Sequence, residues 1–277
     1  MPYSDFEGKV AIVTGAAAGI GRACAEAFVE QGLRVAGLDI DSKGAAELQA
    51  RFGKERFLGV QVDISDPASC KAAVDTAVEH FGGVHMLMNN AALGMNAVHP
   101  KYTTTALQIE DVSEDLFRRF MLINVCGTYN MTRQVVGRMR EQRWGRIVNI
   151  STSYFTMMRP GYAPYGPAKA ALEAHSLMLS RELEGTGIPV NVVLPGGPAN
   201  TAMVLDEEGL DRSPLIQPAM MAPPILGLFT NEADAITGQR FLAVDWDMAT
   251  TDPTRQKHRS AAWPEIAIPL ASLPPKK

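Results

Sequence analysis

Thr14-Gly15-Ala16-Ala17-Ala18-Gly19-Ile20-Gly21-Arg22 follows a short apolar run, Val10 to Val13, and opens a stretch of helical periodicity. Glycines in such a strand-to-helix turn let the backbone approach a pyrophosphate, whose charge the helix N-terminus stabilises. Gly15, Ala18, Gly19, Ile20 and Gly21 are therefore candidate cofactor-binding residues. A second apolar run, Val35 to Leu38, ends in Asp39, about 18 residues beyond Gly21. A carboxylate there can accept hydrogen bonds from both hydroxyls of a ribose. It would repel a 2′-phosphate, and Ala16, Ala17 and Ala18 offer no cation to offset it, so NAD is expected rather than NADP.

Further apolar, β-branched runs occur at Phe57 to Val62, Met86 to Met88, Ile147 to Ile150, Val190 to Leu194 and Phe241 to Val244. Seven such runs separated by helical stretches predict a Rossmann-like, doubly wound α/β fold: a seven-stranded, mostly parallel sheet with helices on both faces. Asp39-Ile40, Asp63-Ile64 and Asn90-Ala91-Ala92 end the second, third and fourth runs. They fall on the carboxyl edge, where ligands of open α/β sheets bind. Asp66-Pro67 marks a helix start and Gly82-Gly83 its end; two more helices are expected over about 113–140 and 165–184.

Tyr165 and Lys169 stand four residues apart at the head of the last of these helices, on one face. A phenol is a poor base at neutral pH, and an adjacent ammonium lowers its pKa by stabilising the phenolate. Such pairs also arise on solvated faces, so the chemistry depends on a cofactor site elsewhere in the chain.

The 277 residues predict one catalytic and dinucleotide-binding domain over 1–247, an apolar substrate lid at about 202–228 rich in Met, Leu and Pro, and an extended Pro-rich tail over 248–277 docked on the body or on a neighbouring subunit. A net charge of −4 leaves no basic footprint for nucleic acid. Cys24, Cys70 and Cys126 show neither a disulfide framework nor a zinc pattern and are expected to be buried thiols; the five histidines lack ligand spacing, so no metal is assigned. With no signal-like N-terminus and no membrane-length apolar run, a cytoplasmic location is expected.

Taken together, these residues resemble the short-chain dehydrogenase/reductase family over roughly residues 6 to 247. The turn reads GxxxGxG; Asn89-Asn90-Ala91 is similar to the family's NNAG with Ala92 for Gly; Tyr165 and Lys169 match YxxxK; Thr237-Gly238-Gln239 with Val244-Asp245 resembles the last-strand motif. The resemblance implies that Tyr165 exchanges a proton with the substrate oxygen. Lys169 would hold the nicotinamide ribose and lower the pKa of Tyr165, while Asn124 would order a relay water. It also implies a homotetramer or homodimer packed partly through the helices of Asn124 and Tyr165.

Two places depart from the pattern. The family's catalytic Ser corresponds to Thr152, with Ser153 as the alternative hydroxyl. Pro195-Gly196-Gly197-Pro198-Ala199-Asn200-Thr201 resembles the nicotinamide loop, yet Pro198 has no N–H to donate, leaving Ala199 to take that role with Thr201 supplying a hydroxyl. Tyr154, Phe155, Met157, Met158, Met203, Leu205, Met220 and Met221, with a further wall from 93–107, predict an apolar alcohol or ketone as substrate. Arg159 or Arg212 are candidates for a substrate carboxylate or for solvated surface charge. The implied activity is NAD-dependent interconversion of a secondary alcohol and a ketone. The alternatives are an NADPH-dependent carbonyl reductase and a non-catalytic dinucleotide sensor.

Overall fold

Val10 and Ile12 point into one apolar core and Ala11 and Val13 into another, as the two-residue period of a strand buried on both faces requires. The computed structural model describes residues 3–204 and 211–262. Its strands are β1 (Val10–Thr14), β2 (Arg34–Asp39), β3 (Phe57–Gln61), β4 (Met86–Asn89), β5 (Arg146–Ile150), β6 (Val190–Leu194), β7 (Gln239–Leu242) and β8 (Arg259–Ser260). They form one sheet in the order β3-β2-β1-β4-β5-β6-β7-β8, parallel except for β8. The chain reverses its direction of travel between β1 and β4, so the crevice at their carboxyl ends is the natural ligand site.

The helices are α1 (Gly19–Glu30), α2 (Ser42–Phe52), α3 (Pro67–Phe81), α4 (Glu114–Met121), α5 (Gly127–Glu141), α6 (Tyr154–Met157), α7 (Tyr165–Glu182) and α8 (Ala222–Leu228). α1 and α8 contribute to the core on one face; α3, α5 and the end of α7 contribute to the other. The expected start of α3 is present: Asp66 accepts from the N–H of Ala68, Pro67 takes the first helical position, and Gly82 ends the helix at φ 83°. The single helix expected over 113–140 instead has a π turn at Leu122–Cys126 between α4 and α5. That turn carries Asn124 inward and leaves Cys126 exposed, correcting the expectation of three buried thiols.

The C-terminal elements differ most from expectation. β7 starts two residues earlier than its apolar run, and Ala243–Asp245 form a 3-10 turn. An eighth strand pairs Arg240 with Arg259 and Gln239 with Ser260. It is too short and polar to show in the hydropathy pattern. In the expected lid, Met221, Ile225, Leu226 and Leu228 are core residues, so a cavity wall is left only to the earlier part of that segment. Leu205 lies outside the described residues. Of the tail, residues 248–262 lie against the body, with Ala261 and Ala262 buried, while 263–277 lie outside the described residues. Among the described residues no helix is long and apolar enough to cross a membrane.

Candidate active site

The turn after β1 admits little but glycine at its tightest points. Gly15 has φ 69°, and a Cβ there would lie 2.7 Å from Asn90 Nδ2; a Cβ on Gly21 would lie 2.0 Å from the Gly15 carbonyl oxygen. Asn90 locks the turn to the end of β4: its Nδ2 donates to the carbonyls of Thr14 (2.9 Å) and Gly15 (3.2 Å), and its own N–H donates to Thr14 Oγ1 at 2.9 Å. Asp39 closes the other side. Its carboxylate accepts from the N–H of Ala17 at 2.8 Å and from that of Asp41 at 2.9 Å. A carboxylate has about four acceptor sites, so two remain for a ligand.

A cavity of about 440 Å³ opens over this turn. Gly15, Ala18, Gly19, Ile20, Asp39, Ile40, Asp63, Ile64, Asn90, Ala91, Ala92 and Thr201 all line it, as their sequence positions suggest. Gly21 does not; it is buried behind the turn as a close-packing residue. Arg119, on α4, also lines this cavity. Sequence reading missed it because an Arg on a polar helix carries no positional signal.

A second cavity, of about 530 Å³, shares Ile20, Asn90, Ala92 and Met203 with the first. It contains Tyr165 and Lys169 from α7, Ser151, Thr152 and Ser153 from the end of β5, and Pro195, Gly196, Pro198 and Ala199 from the loop after β6. Ile216 N–H donates to the Pro198 carbonyl at 2.9 Å and pairs with Ala199 as an isolated bridge, which holds the lengthened loop. Arg212 clamps it further, donating to Asn200 Oδ1 (2.8 Å) and to the carbonyls of Val204 (2.7 Å) and Thr201 (3.1 Å). Arg212 is thus a brace for the loop.

The three hydroxyls after β5 separate by role. Ser153 is engaged as the N-cap of α6, accepting from Thr156 N–H at 3.0 Å and bonding Thr156 Oγ1 at 2.9 Å. Thr152 stays half-buried on the cavity wall. Ser151 Oγ is buried on the same wall and has no hydrogen-bond partner among the described residues. A buried hydroxyl without a partner is costly unless a ligand supplies one, so Ser151 is a third candidate that sequence reading passed over.

Lys169 is buried, donates to the Ile150 carbonyl at 2.7 Å, and lies 5.8 Å from the Tyr165 ring centroid. Burial lowers its pKa to about 8, against the opposing pull of Glu173. The expected lowering of the Tyr165 pKa does not appear: burial first, then Tyr102 and Tyr162, push the phenol up. The lysine is drawn toward the strand, and the phenol sits among aromatic neighbours. These surroundings favour the neutral phenol over the phenolate.

Asn124 is buried and lines neither cavity. Its Oδ1 accepts from Leu93 N–H at 2.7 Å and its Nδ2 donates to the Leu93 carbonyl at 2.9 Å, so its side chain anchors the loop after β4. Of the residues expected around the substrate, Phe155, Met203, Tyr102 and Thr103 line the second cavity. Met157 and Met221 are buried elsewhere, and Met158 and Met220 are exposed.

Residues 9–208 match the short chain dehydrogenase family profile. The chain is 34% identical over 192 residues to a 3-oxoacyl-[acyl-carrier-protein] reductase of Salmonella typhimurium, covering 69% of this chain and 74% of that one. It is 32% identical over 259 residues to an NADPH-dependent aldehyde reductase-like chloroplastic protein of Arabidopsis thaliana, covering 88% and 91%. The crystal structure of a 3-ketoacyl-(acyl-carrier-protein) reductase from Brucella melitensis complexed with NADH superposes with a TM-score of 0.75 at 30% identity, over 86% of this chain and 96% of that one.

Proposed function

The chain belongs to the short-chain dehydrogenase family, and on that premise we propose that it is an NAD-dependent oxidoreductase interconverting a secondary alcohol and a ketone on an apolar small molecule. The observation that carries this reading is the meeting of Tyr165, Lys169 and Ser151 in a cavity that shares a wall with the one above the glycine turn. The glycine turn fits a dinucleotide phosphate: Cβ atoms on Gly15 and Gly21 would strike Asn90 and the turn's own carbonyl, so glycine keeps the backbone folded tightly beneath the cavity, and α1 begins at Gly19 on the cavity wall. When bound, the nicotinamide supplies the hydride acceptor, or in its reduced form the donor.

Gly15, Ala18, Gly19 and Ile20 would hold the pyrophosphate side, Asp39 the adenosine ribose, and Asp63 to Ile64 and Asn90 to Ala92 the rims of the crevice. Lys169, Pro195, Gly196 and Thr201 would surround the nicotinamide end. Ala199 would offer the N–H that Pro198 lacks. Tyr165 gives its phenolic proton to a ketone oxygen, or takes one from an alcohol, with the charge on Lys169 favouring the phenolate as it forms. Ser151 and Thr152 hold the substrate oxygen by donating hydrogen bonds. Half-exposed Phe117, Leu122, Tyr129 and Met178 on the α4, π-turn, α5 and α7 surfaces support the expected homodimer or homotetramer. A cytoplasmic location goes with this reading.

The test is a screen of apolar secondary alcohols with NAD and of ketones with NADH, run on wild type and on Tyr165→Phe. Turnover by wild type that falls about 10²- to 10⁴-fold in the variant, with NADH still bound, is the expected result. NADH binding without turnover of any of these compounds would leave the sensor reading in its place.

A further inference from the structure

Arg159-Pro160-Gly161-Tyr162 is a tight turn. Tyr162 N–H donates to the Arg159 carbonyl at 3.2 Å, and Gly161 has φ 80°. Pro at the second position and a positive φ at the third define a type II turn, which fixes the residues at its ends. A Cβ on Gly161 would lie 2.9 Å from the Leu107 carbonyl oxygen, so the turn is pressed against the 93–107 segment.

The turn presents its two end residues as a unit. Arg159 Nη1 donates to the Tyr162 hydroxyl at 3.1 Å, and its Cζ stands 4.7 Å from the Tyr162 ring centroid. Tyr162 is buried, packs edge-on against Tyr102 at 6.0 Å between centroids, and shares a small apolar cluster with Met95 and Tyr165. The guanidinium is thus held in place beside the ring that neighbours Tyr165. Its fork of Nε and Nη2 makes no hydrogen bond to any described residue.

The charge around it points to the ligand. Among the described residues lining this cavity, the charged ones are Arg159 and Lys169, and both are cations. A planar guanidinium with a free edge matches a carboxylate, which it binds through two parallel hydrogen bonds.

We propose that the substrate is a keto acid or the corresponding hydroxy acid with an otherwise flat, apolar body, its carboxylate held on the free edge of Arg159 and its carbonyl beside Tyr165. This rests on the oxidoreductase reading and names its substrate class. The step keeps the balance already given: the carbonyl carbon gains a hydride, its oxygen gains a proton, and NADH is oxidised to NAD. Tyr102 and Phe155 supply flat walls for the body, and Met203 fills the remaining space.

The experiment uses aryl keto acids in which none to four methylene groups separate carbonyl and carboxylate, each beside its methyl ester, with NADH and the full chain. Wild type is expected to favour the acid over its ester by about 10- to 100-fold in kcat/KM at the best spacing. Arg159→Gln should erase that preference, so that acid and ester converge, and Arg159→Lys should retain part of it. Ester turnover equal to or above acid turnover at every spacing would overturn the proposal alone, as would an Arg159→Gln effect of equal size on both. Turnover of neither class by a wild type that binds NADH would overturn the oxidoreductase reading and this proposal with it.

Discussion

Glu173 Oε1 accepts a hydrogen bond from Arg240 Nε at 2.9 Å, with both side chains buried and Glu173 one helical turn beyond Lys169. The pair joins four parts of the fold. Arg240 Nη2 donates to the Thr152 carbonyl at 2.6 Å and its Cζ lies 4.1 Å from the Tyr154 ring, while Glu173 Oε2 accepts from Ala262 N–H at 3.2 Å. The ion pair therefore ties α7 to the end of β5, to β7, and to the segment after β8.

Removing one partner strands the other charge in the interior. Arg240→Met is expected to cost about 3–5 kcal/mol in chemical denaturation, and Glu173→Leu a similar amount. The double variant should recover most of the loss, because the desolvation cost of both charges goes with them. Equal and additive losses in the double variant would contradict a coupled pair.

Three neighbouring hydroxyls should give three different phenotypes. Ser153→Ala removes the cap of α6 and should cost about 1 kcal/mol of stability with little effect on turnover. Ser151→Ala should cost little stability, since its Oγ has no partner among the described residues, and should lower kcat. Thr152→Val should likewise act on kcat. Thermal melts and steady-state kinetics on the three variants separate these roles.

Lys169 carries a folded-state pKa of about 8 against an ordinary value of 10.5. Below pH 8 the folded protein holds a buried charge at a cost relative to the unfolded chain. Between pH 8 and 10.5 the unfolded chain binds more protons, so stability rises with pH across that window. Lys169→Met should therefore melt higher than wild type at pH 7, and its advantage, of order a few kcal/mol, should shrink toward pH 10.5. A pH-independent difference in melting temperature would contradict the assignment.

Local features of the site are legible in the sequence and non-local ones are not. The glycine turn, Asp39 at the end of β2 and the Tyr165–Lys169 spacing each follow from a few adjacent residues, and all reach the paired cavities. Ser151 escaped because only the fold shows which of three consecutive hydroxyls is capped, which is half-buried and which lacks a partner. Arg240 and Glu173 are 67 residues apart and become a pair only when β7 packs behind α7. The upward shift of the Tyr165 phenol comes first from burial, to which Tyr102 and Tyr162, brought in by the 93–107 loop and the Arg159 turn, add. The two-residue β8 is readable only as a partner of β7.

The oxidoreductase reading requires that the cavity above the glycine turn bind NAD and that Asp39 select it. Titration with NADH and NADPH, followed by nicotinamide fluorescence, tests it directly on wild type, Asp39→Asn and Asp39→Ala. Wild type is expected to bind NADH about tenfold or more tightly than NADPH, and both variants to narrow the gap by gaining NADPH affinity. Tighter NADPH than NADH binding by wild type, or binding of neither, would contradict it.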